Sequence, residues 1–283
     1  MKVLVTGATG FIGKYVVDEL LRHNHKVIAS SKIAEEASTS QWLGQVEFIA
    51  CDLDIMQKDF FEFFNRPDLL IHLAWEGLPN YNELFHLEKN LFSNYMFLKN
   101  MVEHGLKDIV VAGTCFEYGV QSGALAEDME TKPNNPYSLA KDTLRKFLQQ
   151  LQKKCEFDLK WVRLFYMYGE GQSPHSILSQ LKRALDDNQA EFNMSGGEQM
   201  RDYLPVKKVA EYIVKIATQK KVTGIINCCS GEGITIRKLV ENYLNEKKKK
   251  ITLNLGYYPY SDCEPMAFWG DTTKLNAALS NDS

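Results

Sequence analysis

At 283 residues, with 45% hydrophobic and 24% charged side chains, the chain is composed like a globular protein of one large domain or a main domain with an annex, which excludes disorder, collagen and coiled coil. Its 33 basic and 36 acidic residues leave a formal charge of -3, without the basic surplus of a nucleic-acid-binding face. No apolar run reaches the roughly 18 residues of a membrane span, and the first residues lack the long apolar region of a signal peptide.

In chain order, a β-branched run at 2–6 predicts the first strand. Ile12, Val16, Val17, Leu20 and Leu21 then recur at helical spacing until Asn24 closes the helix. Further strands are expected at 26–30, 46–50, 69–74, 109–112, 159–164 and 225–228, several almost wholly apolar, as strands buried on both faces are. Helical spacing covers 56–65, 83–104, 136–153, 175–188, 207–219 and 236–248. This alternation is that of an α/β fold, a parallel sheet flanked by helices. After Tyr168-Gly169 the rhythm loosens. Residues 1–169, with 202–229 returning to them, are expected to form the sheet domain. Residues 170–201 and 230–283 are expected to form a smaller annex over the C-terminal ends of the strands, where open α/β sheets bind ligands. The lysine run 247–250 falls at a helix end and reads as solvated surface. The six cysteines (Cys51, Cys115, Cys155, Cys228, Cys229 and Cys263) contain no CxxC pair, so reduced thiols and a cytoplasmic setting are expected.

The first strand runs into Thr6-Gly7-Ala8-Thr9-Gly10-Phe11-Ile12-Gly13 and then a helix. Glycines in such a turn let the backbone approach a pyrophosphate, whose charge the N–H groups of the helix N-terminus face. The spacing is GxxGxxG, and its place after the first strand makes it a dinucleotide-binding turn in a Rossmann-type, doubly wound sheet. A carboxylate about 20 residues on would bond the ribose 2′-OH of NAD. Here the second strand ends in Ala29-Ser30-Ser31-Lys32, and the nearest acids, Glu35 and Glu36, lie farther along. Two hydroxyls and an ammonium suit a 2′-phosphate better than a bare hydroxyl, so NADPH is expected ahead of NADH. Asp52-Leu53, ending the third strand region, is placed for the adenine edge. His72 reads as a buried strand histidine.

Pro136-Tyr137-Ser138-Leu139-Ala140-Lys141 opens a helix on which Tyr137 and Lys141, at i and i+4, share a face. A phenol with a pKa near ~10 is a poor acid–base group at neutral pH. A nearby ammonium favours the phenolate and brings it toward the working range.

With these pieces the chain resembles the extended short-chain dehydrogenases/reductases of the NAD-dependent epimerase/dehydratase group, which act on nucleotide-linked sugars. The matching segments stand in family order and span nearly the whole chain: 6–13, Asp52-Leu53, His72-Leu73-Ala74, Asn90, Gly113-Thr114-Cys115-Phe116-Glu117-Tyr118-Gly119, 137–141, Arg163-Leu164-Phe165-Tyr166-Met167-Tyr168-Gly169 and Arg201-Asp202-Tyr203-Leu204-Pro205-Val206. The resemblance implies that Thr114 bonds the reacting oxygen, that Tyr137 donates or accepts the proton, and that Lys141 binds the nicotinamide ribose while tuning Tyr137. It extends the cofactor site of Gly7, Thr9, Gly10, Gly13, Ser30, Ser31, Lys32, Asp52 and Leu53 to Phe11, Ile12, Leu73, Ala74, Trp75, Asn90, Ala112, Phe165 and Met167. On the substrate side it implies Trp75, Glu76, Thr114, Cys115, Phe116, Tyr166 and His175, with Arg201 as the fork-shaped clamp of a diphosphate. No metal site is expected. A homodimer through a four-helix interface built from 83–104 and 136–153 is also implied.

Sugar dehydratases of this family carry an Asp-Glu pair directly after the catalytic Thr. Here those positions are Cys115 and Phe116, and Glu117, one position late, would face the other way in an extended segment. Between reductase and epimerase, three features favour reductase. They are the Ser31-Lys32 end of the second strand, the absence of an arginine from Tyr260-Ser261-Asp262-Cys263-Glu264-Pro265, and the similarity of 197–203 and 264–271 to bacterial enzymes of deoxysugar and O-antigen synthesis. The expected function is therefore NADPH-dependent reduction at C4 of a nucleotide-linked, dTDP-type 4-keto-6-deoxyhexose to a fucose- or 6-deoxytalose-type sugar. The alternatives are a nucleotide-sugar 4-epimerase with tightly bound NAD and, in another class, a non-catalytic cofactor-binding regulatory protein.

Overall fold

Val3, Leu4 and Val5 are wholly buried because the strand they form has neighbours on both edges and helices over both faces. The computed structural model describes residues 1–33, 40–260 and 264–280; Glu35, Glu36, Ser261, Asp262 and Cys263, which figure in the sequence reading, lie outside them. Seven strands form the main sheet: β1 (Lys2–Thr6), β2 (Lys26–Ser30), β3 (Glu47–Phe48), β4 (Leu69–His72), β5 (Asp108–Thr114), β6 (Asp158–Leu164) and β7 (Gly224–Cys228). All pair in parallel, in the order β3-β2-β1-β4-β5-β6-β7, which reverses beside β1 as a doubly wound sheet must. The expected Rossmann-type sheet with smaller C-terminal elements is the fold observed.

Eight α-helices complete the described chain: α1 (Phe11–Arg22), α2 (Phe60–Phe63), α3 (Leu91–Glu103), α4 (Pro136–Leu151), α5 (Ile177–Asp186), α6 (Val206–Thr218), α7 (Ile236–Lys247) and α8 (Thr273–Leu279). Strand alternation divides β1 between two cores. Val3 and Val5 pack with Val16 and Leu20 of α1, Ile213 of α6 and Leu275 of α8. Leu4 packs on the other face with Phe60, Phe97, Met101, Leu144 and Trp161. A separate cluster joins α5 and α7 through Leu181, Met194, Val240 and Leu244. None of the described helices is long and apolar enough to cross a membrane.

The differences from the sequence reading have local causes. The strand expected at 46–50 shortens to Glu47–Phe48, an edge strand paired only with β2. The helix expected at 56–65 shrinks to α2, capped by the Asp59 side chain and closed where Asn65 and Arg66 take φ of 57° and 52°. The strand expected at 69–74 stops at His72, because Leu73 N–H bonds Thr6 O and Ala74 turns in against Gly7. The helix expected at 83–104 opens with a widened turn over His86–Asn90 before α3 begins.

Where the rhythm loosens, four two-stranded sheets appear: Tyr166–Tyr168 with Tyr203–Pro205, Glu191–Asn193 with Thr252–Asn254, Gly123–Leu125 with Phe268–Gly270, and Met200–Arg201 with Ile234–Thr235. Between Met200–Arg201 and Tyr203–Pro205, the buried Asp202 carboxylate accepts from Ser230 N (2.7 Å) and Gly231 N (2.9 Å), just after β7, and from Gly270 N (3.2 Å).

Candidate active site

The glycine turn is built for close backbone approach. Gly7 takes φ 70°, and a Cβ there would lie 2.8 Å from Ala74 N; one on Gly13 would lie 2.1 Å from Gly7 O. Gly10 caps α1 without a side chain, leaving the first N–H groups of the helix facing outward for an anion. A cavity of about 370 Å³ runs from this turn past Ser30, Ser31, Lys32, Asp52 and Leu53 to Ala74, Glu76 and Asn90. A second, of about 560 Å³, shares Gly7, Gly10, Leu73 and Trp75 with it. This cavity is lined by Phe11, Ile12, Gly13, Ala112, Thr114, Cys115, Phe116, Tyr137, Phe165, Tyr166 and Met167. The groove as a whole lies along the C-terminal ends of the sheet strands, where such folds bind ligands.

At the first cavity, Lys32 Nζ lies 2.9 Å from Glu76, 3.1 Å from Asp52 and 3.5 Å from Asp54. Lys89 Nζ completes the group at 2.7 Å from Asp54 and 3.0 Å from Glu76. Bonds to Glu76 and Asp52 push the Lys32 ammonium above its ordinary pKa, and the two lysines hold Glu76 below the usual carboxylate range. Three carboxylates thus surround two ammonium groups, so the local charge is negative. Sequence alone gave no sign of Asp54 or Ser93 at this wall.

At the second cavity, Asn135 caps α4 through Ser138 N (2.9 Å), and Pro136 takes the first helical position. This fixes Tyr137 in the first turn, where its N–H bonds Tyr81 O at 3.1 Å. The phenol and the Thr114 side chain, at the end of β5, line the same cavity. Burial is the main cause that raises the Tyr137 phenol above its ordinary pKa, and the neighbouring Tyr81 adds to it. The net shift is upward, with burial ahead of every other cause. The Lys141 amine sits behind the cavity wall, donating to Ala112 O at 3.0 Å, and burial brings it down to about 7.

Thr114 is held by a reciprocal turn. Its Oγ1 accepts from Phe116 N (3.2 Å), while its own N–H donates to Glu117 (2.9 Å). Residues Cys115–Tyr118 are therefore coiled rather than extended, and Glu117 turns into the core, where it accepts from Trp161 Nε1 (2.9 Å) and Arg163 Nε (2.8 Å). Gly113 is required beside it, since a Cβ would sit 2.2 Å from Trp161 Nε1. That glycine is the sequence signal for the Glu117 anchor, which the sequence reading missed. Burial pushes the Cys115 thiol well up, and Phe116 is an edge-on partner of Tyr81 and Tyr166, so no acid–base pair follows Thr114.

Three expected residues lie away from the groove lining, the buried Lys141 among them. His175 is exposed. Arg201 is buried, with Nη2 donating to Glu264 at 2.7 Å and its guanidinium over the Phe268 ring. His72 is a buried strand histidine. It accepts from Thr6 Oγ1 (2.8 Å) and donates to Asn94 Oδ1 (2.7 Å), and burial holds it neutral with a pKa of about 3.

Residues 3–229 match the NAD dependent epimerase/dehydratase family. The chain belongs to that family. It is an NAD-dependent oxidoreductase. A family relative from Aggregatibacter actinomycetemcomitans, 34% identical and covering 95% of this chain and 99% of its own length, is a dTDP-6-deoxy-L-talose 4-dehydrogenase (NAD(+)). Among solved structures, the UDP-glucuronic acid 4-epimerase of Bacillus cereus in complex with UDP-glucuronic acid and NAD superposes with a TM-score of 0.83 at 24% identity, over 99% of this chain and 93% of that one. The UDP-glucose-4-epimerase of Stenotrophomonas maltophila, with bound NAD and a formylated UDP-arabinopyranose, gives 0.86 at 19% identity, over 99% and 92%.

Two expectations are corrected by these findings. NADPH gives way to NAD. The related structures hold NAD, and the ammonium expected to receive a 2′-phosphate is enclosed by three carboxylates that would repel one. The keto-sugar reductase also gives way. Solved neighbours of this architecture include nucleotide-sugar 4-epimerases with NAD bound, and the reductase expectation leaned on an NADPH site that the fold does not build. For the family member described here, the double change Asp54→Asn with Glu76→Gln is expected to shift the NADP/NAD binding ratio toward NADP by about tenfold. Fluorescence titration with both dinucleotides checks this; an unchanged ratio would show that these acids do not set the preference.

Proposed function

We propose that the protein is a nucleotide-sugar 4-epimerase that works with NAD held in the groove. The observation that carries the reading is the meeting of Thr114 and Tyr137 in one cavity that continues into the glycine turn. NAD, when bound, supplies the reversible redox chemistry at the sugar C4. The Gly7–Gly13 turn fits its pyrophosphate, because every added Cβ there would meet backbone. Tyr137 takes the proton of the C4 hydroxyl and later returns it, while the Thr114 hydroxyl holds that oxygen in place. Lys141, on the same helix face, supplies positive charge behind Tyr137. Without carboxyl groups at Cys115 and Phe116, the site has no base for C5 and no acid for the C6 oxygen, so dehydration is not its chemistry.

A homodimer through α3 and α4, with exposed Phe92 and Met96 on α3, belongs to the same reading, as does the division into a sheet domain and a substrate lobe. One observation favours a second reading: the 34% identical relative oxidises a dTDP-6-deoxyhexose at C4 with NAD+. The two differ in whether the sugar leaves oxidised. Purified protein is incubated with UDP-glucose, UDP-glucuronic acid and dTDP-6-deoxyhexoses, and the products are followed by NMR alongside absorbance of the reduced nicotinamide. Appearance of the C4 epimer without net nicotinamide reduction is the expected result. A 4-keto sugar formed in step with reduced nicotinamide would replace it with the dehydrogenase reading.

A further inference from the structure

Lys141 is 2% exposed, and its Nζ donates a hydrogen bond only to Ala112 O. Among the described residues, no carboxylate pairs with it. Beneath the ammonium lies the indole of Trp75, with Nζ 3.9 Å from the ring centroid. The indole is itself fixed. Its Nε1 donates to His86 Nδ1 at 3.0 Å, and the two rings lie side by side, their centroids 6.2 Å and their planes 20° apart. His86 Nε2 bonds Asn80 O at 3.0 Å. A carbonyl can only accept, so Nε2 carries the proton and Nδ1 is free to receive the indole N–H. The widened turn over His86–Asn90 puts the imidazole in this place.

We propose that Trp75 is the positioning residue of Lys141: its indole face, oriented by His86, takes the place of a counter-ion and keeps the buried amine an ammonium. The inference deepens the reading in which Lys141 serves Tyr137, and it can be read on the amine itself. The titratable groups facing Lys141 are Glu117 from the turn after β5, His72 at the end of β4, His86 from the widened turn and Tyr137 on its own helix. Burial lowers the amine to about 7, and the Glu117 charge offsets part of that. Both imidazoles are held below their ordinary pKa and are neutral. The ammonium is therefore present below its midpoint and lost as pH rises through it. A desolvated cation on an indole face is held strongly enough to move such a midpoint by about one pH unit.

The test is the Nζ shift of Lys141 in ¹⁵N-lysine-labelled full-length protein, assigned by its loss in Lys141→Arg and titrated with pH in wild type, Trp75→Leu and Trp75→Phe. Trp75→Leu is expected to lower the midpoint by about one unit, a tenfold change in the protonation equilibrium. Trp75→Phe, which keeps an aromatic face, is expected to stay near wild type. A wild-type midpoint in Trp75→Leu, or an equal drop in Trp75→Phe, overturns the proposal. Should Trp75→Leu fail to fold, fluorinated tryptophan at all four positions weakens the face without changing its size, and Trp75 alone among them carries a described cation. A lowered midpoint then supports the proposal and an unmoved one overturns it. A wild type that epimerises no nucleotide sugar would sink the proposed function and leave this titration intact.

Discussion

In the proposed 4-epimerase, Tyr137→Phe is expected to cut turnover at C4 by about 10²–10⁴-fold, the ordinary contribution of a positioned acid–base group, while NAD affinity stays nearly unchanged. The reason is geometric. The phenol lines the second cavity together with Thr114, whereas the cofactor turn belongs to β1 and α1. Removing one oxygen leaves the ring contacts with Trp75, Tyr81 and His86 in place. Steady-state rates with the epimerised sugar, set beside NAD titration by fluorescence, give both numbers. Full turnover in the variant would remove Tyr137 from the chemistry. Loss of NAD binding to the same extent as activity would make it a wall of the cofactor pocket instead.

Glu117→Ala is expected to cost about 3–5 kcal/mol of stability, the penalty for stranding the partner of a buried ion pair. Glu117 is fully buried, and so is the Arg163 guanidinium that it receives at 2.8 Å. Arg163 Nη1 already lacks a described partner, so truncation would leave the cation with little beyond the Tyr118 ring, 4.3 Å from its carbon. The same carboxylate accepts from Thr114 N and Trp161 Nε1, so its loss also frees the backbone that presents the Thr114 hydroxyl. Glu117→Gln keeps an acceptor for those two N–H groups and is expected to lose less. Urea unfolding of both variants measures the difference. A cost under about 1 kcal/mol for Glu117→Ala would mean that water or a rearranged Arg145 replaces the pair.

The chemistry legible in the sequence was the chemistry set by short spacings. Gly7 to Gly13 and Tyr137 to Lys141 each lie within one turn-and-helix unit, where backbone geometry alone decides which atoms meet. Lys32 shows the limit of that method. Its neighbours in sequence are hydroxyls, but the acid that bonds it most closely, Glu76, is 44 positions away and arrives only when β4 lies two places from β2 in the sheet. Tyr137 shows a second limit, since a shared helix face did not specify which way the Lys141 amine points. His86 escaped notice because it sits in a widened turn, which leaves no trace in a helical period. Glu117 departs from the extended segment that the sequence suggests after Thr114, because its own side chain caps the turn that coils it.

The Asp202 carboxylate bears on the order in which the protein becomes functional during synthesis. Its donors come from Ser230 and Gly231 on one side and Gly270 on the other, and the strand Phe268–Gly270 lies against Gly123–Leu125. The dinucleotide turn draws on segments translated early, but this clasp cannot fasten until Gly270 has left the ribosome. The strands that carry the groove lining are thus all translated before the segment that locks the Asp202 carboxylate in place.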